Sequence, residues 1–264
     1  MAQATIGRLQ AGRRPEFVQS LAHGLAVLTS FSRERPTQTL SEVAASVGVT
    51  RATARRLLLT LQDLGYVGSQ GRYFFLLPAV LTVGAAYLSL RSMWEGAPAH
   101  LRALAAETRE SCGAAVLDGG EAVHILRAVA DDILCVNLTI GTRLPASCTA
   151  VGQVLLAELD PPTLERYVAR AKLPKRTART ITEPDRLRAR LEAVRACGWA
   201  IDDEEWSVGI RAIAVPVRGA EGSGALDVVC LSSRASVERL RQEILPPLQR
   251  CAERIGQATL GAPA

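Results

Sequence analysis

Thr39–Leu64 reads TLSEVAASVGVTRATARRLLLTLQDL. Thr39 is placed to N-cap a helix, and Glu42, three residues on, closes a capping box. Leu40, Val43, Ala44 and Val47 form the inner face of that helix. Gly48 ends it, because glycine alone takes left-handed backbone at little cost. Thr50 then caps another helix running from Arg51 to Leu64. Ala54, Leu57, Leu58, Leu61 and Leu64 make its inward stripe, and Arg51, Ala52, Arg55, Arg56 and Leu59 lie off that stripe. Helix, short glycine turn and helix together are the helix-turn-helix pattern.

Upstream, Leu21–Phe31 (LAHGLAVLTSF) carries Leu21, Leu25, Leu28 and Phe31 at helical spacing, and Arg33–Thr37 is a polar break holding Pro36. Downstream, Gly65-Tyr66-Val67 leaves the helix into a strand, Ser69–Arg72 is a tight turn, and Tyr73–Leu76 is a second strand. A hairpin directly after such a helix is a wing, with Gln70 and Arg72 at its tip. Arg51, Arg55 and Arg56 fall in the first two turns of a helix suited to the major groove. Arginine there either pairs bidentately with guanine or clamps phosphate. The charge distribution agrees. Residues 1–90 hold 9 Arg against 4 acidic residues, and residues 91–264 hold 22 basic and 22 acidic residues. The whole excess of +5 sits in the first third of the chain, as expected of a module that meets a polyanion.

The 264 residues are enough for one large or two smaller domains, and 48% hydrophobic with 22% charged residues excludes disorder and fibrous repeats. No apolar run is long enough for a membrane span; the best, Leu76–Leu90, is broken by Pro78, Thr82 and Gly84. Arg8, Arg13 and Arg14 have no apolar segment behind them, so no secretory signal is expected and the location is read as cytoplasmic. Cys112, Cys135, Cys148, Cys197, Cys230 and Cys251 form no CxxC pair and read as reduced, mostly buried thiols.

Beyond the wing, Ala79–Leu90 (AVLTVGAAYLSL) is a helix apolar on more than one face, suited to a dimer contact. Helix Pro98–Ser111 follows, with Leu101, Leu104 and Ala105 inward. Gly113–Leu117 and Ala122–Arg127 flank the hairpin turn Asp118–Glu121. Ile133–Leu138 reads as a strand, Gly141–Ala146 as a loop, and Ala150–Leu159 as a helix capped by Ser147 or Thr149. Helices near Pro161–Ala171 and Glu183–Cys197 precede strands Trp199–Asp202, Ala212–Val217 and Ala225–Leu231, and helix Val237–Gly256 closes the chain. The class is α+β, an antiparallel sheet flanked by helices behind a winged helix-turn-helix.

As an enzyme the chain offers little. His124 and Cys148 lack a third, orienting residue, so a buried Cys and a half-buried His is the better reading. The run Asp202–Glu205 cannot aim four adjacent carboxylates at one metal ion, and reads as a solvated acidic turn with one carboxylate turned inward. There is no GxGxxG, Walker loop, GxSxG or HExxH, so no cofactor and no metal are expected.

The order SLAHGLAVLTSF, LSEVAASVGVTRATARRLLLTLQDLGYV, the wing, GTRLPASCTAVGQVLLAEL and DDEEWSVGIRAIAVPVRG resembles the IclR family of bacterial transcription regulators over about residues 17–256. GTRLPA and the RRLLLTL–LGYV run look closest to the Pca/Pob branch, which answers to aromatic acids. The resemblance implies a disordered arm at 1–16, a winged helix-turn-helix at 17–77, a linker helix at 78–97 and an effector domain at 98–264. It implies a non-enzymatic regulator of operator DNA that acts as a homodimer, a form that in this family often pairs into tetramers, and that controls catabolism of an aromatic or other small carboxylic acid. The alternative is a small-molecule enzyme or carrier with a winged-helix partner-binding module. Carried over, the DNA contacts are Thr50, Arg51, Thr53, Arg55 and Arg56, joined by Gln70 and Arg72 of the wing. The effector cleft uses Ala150, Val151 and Gly152, the acidic segment with Asp203, and the strands around Ala212 and Val228. A carboxylate effector needs a cation, and Arg143 either supplies it or anchors its own loop. Two departures lie near the cleft: Gln153, where many relatives have a basic residue, and Asp227, where the family often has Asn.

Overall fold

The helix-turn-helix follows from its caps. In this structure, a computed structural model describing residues 16–89, 92–130, 138–219 and 222–257, Thr39 accepts from Glu42 N, and the Glu42 carboxylate accepts from Thr39 N at 2.7 Å. Outside the described residues lie the expected arm, except Glu16, and the expected strand Ile133–Leu138, except Leu138. The chain divides into two units between Tyr87 and Leu88, inside the expected linker.

The first unit holds α1 (Gln19–Ser30), β1 (Thr37–Thr39), α2 (Leu40–Val47), α3 (Arg51–Asp63), β2 (Val67–Gln70), β3 (Tyr73–Leu76) and most of α4 (Leu81–Ser89). Gly48 is left-handed at φ 69°, which turns α2 into α3. The core is Ala26, Val27, Phe31, Val43, Ala44, Val47, Ala54, Leu58, Leu61 and Val67. Three expected inward positions are corrected. α1 turns Ala22, Ala26 and Val27 inward, leaving Leu21 63% and Leu25 54% exposed. The small alanines allow close helix approach, so the leucines of the same helix fall on the outer face. Leu64, just past α3, is 62% exposed. The wing gains a strand the polar sequence Thr37–Thr39 did not signal, giving the antiparallel order β1-β3-β2. Gln62 Nε2 donates to Ser69 Oγ at 2.8 Å, tying α3 to the wing.

The second unit contains α5 (Ala97–Thr108), β4 (Ser111–Asp118), β5 (Glu121–Ala128), β6 (Arg143–Pro145), α6 (Ala150–Ala157), α7 (Pro161–Arg170), α8 (Pro184–Cys197), β7 (Ala200–Asp203), β8 (Ile210–Gly219), β9 (Gly222–Leu231), α9 (Val237–Arg239) and α10 (Leu245–Gln257). Among the described residues its antiparallel strands run β6-β5-β4-β9-β8-β7. One face, with Ile213, Leu226 and Val228, packs on Leu101 and Leu104 of α5 and Leu248 and Ile255 of α10. The other face, with Ala115, Ala122, Ala212, Ala214 and Val229, packs on α6. Every residue of α6 is buried, because its outer side meets Leu164, Val168, Leu187 and Leu191 of α7 and α8.

Three boundaries move. α5 stops at Thr108, where Arg109 turns left-handed at φ 57°, and Ser111 already begins β4. Arg143–Pro145 is an edge strand paired with β5 rather than loop. The closing helix widens to a π-turn at Leu240–Ile244, just before Pro246 and Pro247, which have no amide hydrogen to continue the ladder.

Candidate DNA-reading surface and effector cleft

On α3 the arginines Arg51, Arg55 and Arg56 are exposed. Thr50 accepts from Thr53 N at 3.2 Å, and the two hydroxyls lie 2.9 Å apart, so both threonines serve the helix start. At the wing, Gln70 is exposed and the Arg72 guanidinium lies over the Tyr73 ring, 5.2 Å from its centroid, and donates to Tyr73 Oη at 3.0 Å. The structure thus brings the recognition-helix arginines together and keeps Arg72 held at the wing tip.

In the second unit a cleft lies between the N-terminal turn of α6 and the sheet. Thr149, Ala150, Val151, Asp202, Trp206, Ala212, Asp227 and Val229 line it. It is narrow, with room for about one water and not for a benzene ring. Thr149 caps α6 by accepting from Gly152 N at 3.3 Å and donates to Pro145 O at 2.8 Å.

The expected effector residues divide. Ala150, Val151 and Ala212 line the cleft. Gly152 instead packs on backbone, since a Cβ there would lie 2.2 Å from Ala146 Cα. Val228 faces the α5–α10 side, and the residue paired with Ala212 across the strands is Val229. Asp203 points away to ion pairs with Arg179 and Arg211, and Asp202 takes its place in the cleft. Arg143 takes the anchoring role: its Nε donates to Glu121 at 2.8 Å and its guanidinium to the Asp118 carboxylate at 2.5 Å and carbonyl at 3.1 Å. It does not line the cleft.

The acidic turn is solvated only at Asp203 and Glu204, and Asp202 is the carboxylate turned inward. Asp202 and Glu205 are buried, at 2% and 3% exposure. Asp202 Oδ1 accepts from Glu205 N at 2.6 Å and Trp206 N at 3.3 Å. Glu205 pairs with Arg190 at 3.1 Å and accepts from Gln153 Nε2 at 3.1 Å, so Gln153 braces α6 against the turn without carrying a charge. Cys148, pushed up to about 11 by burial, is no nucleophile near neutral pH, and His124 pairs with Asp227 at 3.1 Å. That buried His–Asp pair went unforeseen, because its partners stand 103 residues apart.

Burial pushes Asp202 up to about 7 from an ordinary 3.8, and raises Glu205 against the pull of Arg190. A raised carboxyl binds more protons folded than unfolded. Its stabilising contribution is full below pH 3.8 and is lost as the pH rises through about 7. Urea unfolding followed by fluorescence of Trp94, Trp199 and Trp206, all in the second unit, is expected to show stability falling across that window. Asp202→Asn should flatten the fall; an unchanged pH slope in that variant would remove Asp202 as its source.

A winged helix-turn-helix with a bare arginine row, followed by an α/β unit whose cleft lies under a buried helix, defines a DNA-binding regulator with a sensory domain. Residues 20–71 match the IclR helix-turn-helix domain and residues 85–257 the C-terminal domain of the bacterial IclR transcriptional regulators, and the chain belongs to this family. It is 40% identical over 237 residues to the Pca regulon regulatory protein of Pseudomonas putida, covering 89% of this chain and 81% of the relative. A solved structure from Rhodococcus sp. RHA1, described as a transcriptional regulator, is 42% identical with a TM-score of 0.82, covering 92% of this chain and 99% of that one. The inducer-binding domain of a PobR double mutant from Acinetobacter, solved with 3-hydroxybenzoic acid, is 30% identical with a TM-score of 0.58, covering 62% of this chain and 98% of that domain. These relatives are transcriptional regulators, not enzymes, and among the described residues no helix is long and apolar enough to cross a membrane.

Proposed function

We propose that this regulator acts in the cytoplasm as a homodimer, reads a two-fold operator with α3 and the wing, and changes its DNA affinity when a small aromatic carboxylate enters the α6 cleft. The DNA half rests on the exposed row Arg51, Arg55 and Arg56 at the start of a capped α3, with Thr50, Thr53, Gln70 and Arg72 around it. The effector half rests on relatedness to the Pca regulon protein and to the hydroxybenzoate-bound PobR domain. Ala150 and Val151 place the start of α6 at the cleft, where backbone amides and the helix dipole favour an anion. A cleft with room for one water has to widen around an aromatic ring. Binding therefore favours an open conformation, which couples the effector to the rest of the molecule only by that difference in affinity. A thermal-shift panel of aromatic acids followed by gel shift is the test. Stabilisation by at least one acid, with altered operator affinity, is expected; no response to any carboxylate removes the ligand class. Arg143→Ala is expected to leave acid affinity unchanged, because its guanidinium is committed to Glu121 and Asp118.

The homodimer is supported by apolar surface in the first unit. Leu21, Leu25 and Leu28 of α1, Leu57 and Leu64 of the α3 region, and Val83 of α4 border one groove. Leu81 and Val83 are 69% and 67% exposed. Contiguous apolar surface of this kind belongs at an interface, and a second copy places two α3 helices on one duplex. Leu25→Glu is expected to raise the monomer fraction in light scattering at micromolar concentration. A wild type that is already monomeric there would sink the assembly.

A further inference from the structure

Asp227 on β9 stands in the cleft wall, paired across the sheet with Ala214 of β8 and Gly113 of β4. Its Oδ2 lies 3.1 Å from His124 Nε2, and the two side chains are 3% and 0% exposed. Its other oxygen, Oδ1, takes no hydrogen bond among the described residues, nor does His124 Nδ1. Buried carboxylate oxygens are normally satisfied, so an acceptor left bare on a cleft wall calls for a donor from outside the chain. Gly113 is needed beside the pair, because a Cβ there would crowd Asp227 Oδ1, His124 Cδ2 and Leu126 O, each at 3.1 Å. The second acid of the cleft differs, because Asp202 already accepts two backbone amides through Oδ1.

We infer that Asp227, oriented by His124, reads a hydroxyl group on the effector, whose O–H donates to Oδ1 while the acid group lies toward the start of α6. This rests on the aromatic-acid reading above and sharpens it to hydroxylated acids. An acid group cannot take the Asp227 end, since two carboxylates there would repel and neither would donate. The wall therefore sets the orientation of the ligand as well as its substitution. An analogue of the same size without the donor leaves Oδ1 unpaired in a dry site, which is the strongest form of discrimination a pocket can make.

The test is calorimetry on the full chain with 3- and 4-hydroxybenzoate and their matched fluorobenzoates, which keep the ring and the acid but cannot donate. At least one hydroxy acid is expected to bind about tenfold or more tighter than its fluoro partner. In Asp227→Ala that preference should collapse to within about threefold, and in Asp202→Asn it should persist. Should Asp227→Ala fail to fold, Asp227→Asn keeps the shape but loses the charge-assisted acceptor, and its preference should fall at least about threefold. Equal binding of hydroxy and fluoro acids by the wild type overturns this inference alone. So does an undiminished preference in the Asp227 variants, or a collapse in Asp202→Asn only. A wild type that binds no aromatic acid overturns the effector reading, and this inference falls with it.

Discussion

Arg55→Ala is expected to weaken operator binding by about 1–3 kcal/mol, and Arg51→Ala/Arg55→Ala by more, with the fold intact. Both side chains are exposed on the first two turns of α3, and neither is committed to a carboxylate among the described residues, so their removal leaves no partner unpaired in the protein. The cost falls on the DNA complex alone. Affinity across a set of operator variants separates the two arginine roles. A base-reading arginine loses discrimination at one position, whereas a phosphate clamp lowers affinity evenly and reduces the salt slope by about one. A double variant with wild-type affinity, or binding insensitive to salt, would count against α3 as the reading helix.

Gly152→Ala is expected to destabilise the second unit by about 3 kcal/mol or more, at the upper end of overpacking costs. Helix propensity alone argues for the opposite, since alanine in a helix interior gains about 1 kcal/mol over glycine. Packing decides. The added methyl would sit 2.2 Å from Ala146 Cα and 2.4 Å from its carbonyl oxygen, and these are backbone atoms that cannot swing aside. Either α6, whose first residues line the cleft, or the Ala146–Cys148 turn has to move. Chemical denaturation read by tryptophan fluorescence measures the change. A variant as stable as the wild type would mean that α6 has slack against that turn.

Local backbone chemistry was legible from residues alone. The Thr39–Glu42 box, the left-handed Gly48, the Thr50 cap and the hairpin at Asp118–Glu121 are where the sequence puts them, because each depends on neighbours within a few positions. The choice of face was harder to read. In α1 the leucines attract attention, but alanines fill the tight contact. In β9 the run Gly224–Cys230 is buried throughout, so no alternation separates Val228 from Val229. Asp202 and Asp203 pose the same question of parity, settled by the pairing of Asp202 with Ala212 and Asp203 with Arg211. The Asp227–His124 pair is a tertiary product of three adjacent strands, β5, β4 and β9, and had no local signal beyond the departure at position 227.

Among the described residues the large sheet ends on its two shortest strands, three residues in β6 and four in β7. Arg143 is braced by carboxylates on the first, and Asp203 is held between Arg179 and Arg211 on the second. Short, charged borders give an incoming strand little length to pair with and a desolvation cost to meet. An antiparallel sheet whose middle strands run to ten residues is in this way kept from growing by addition of a neighbour's strand. Self-association is then steered away from stacking of sheets, and a concentrated solution of this regulator should resist fibril formation for as long as those border ion pairs persist.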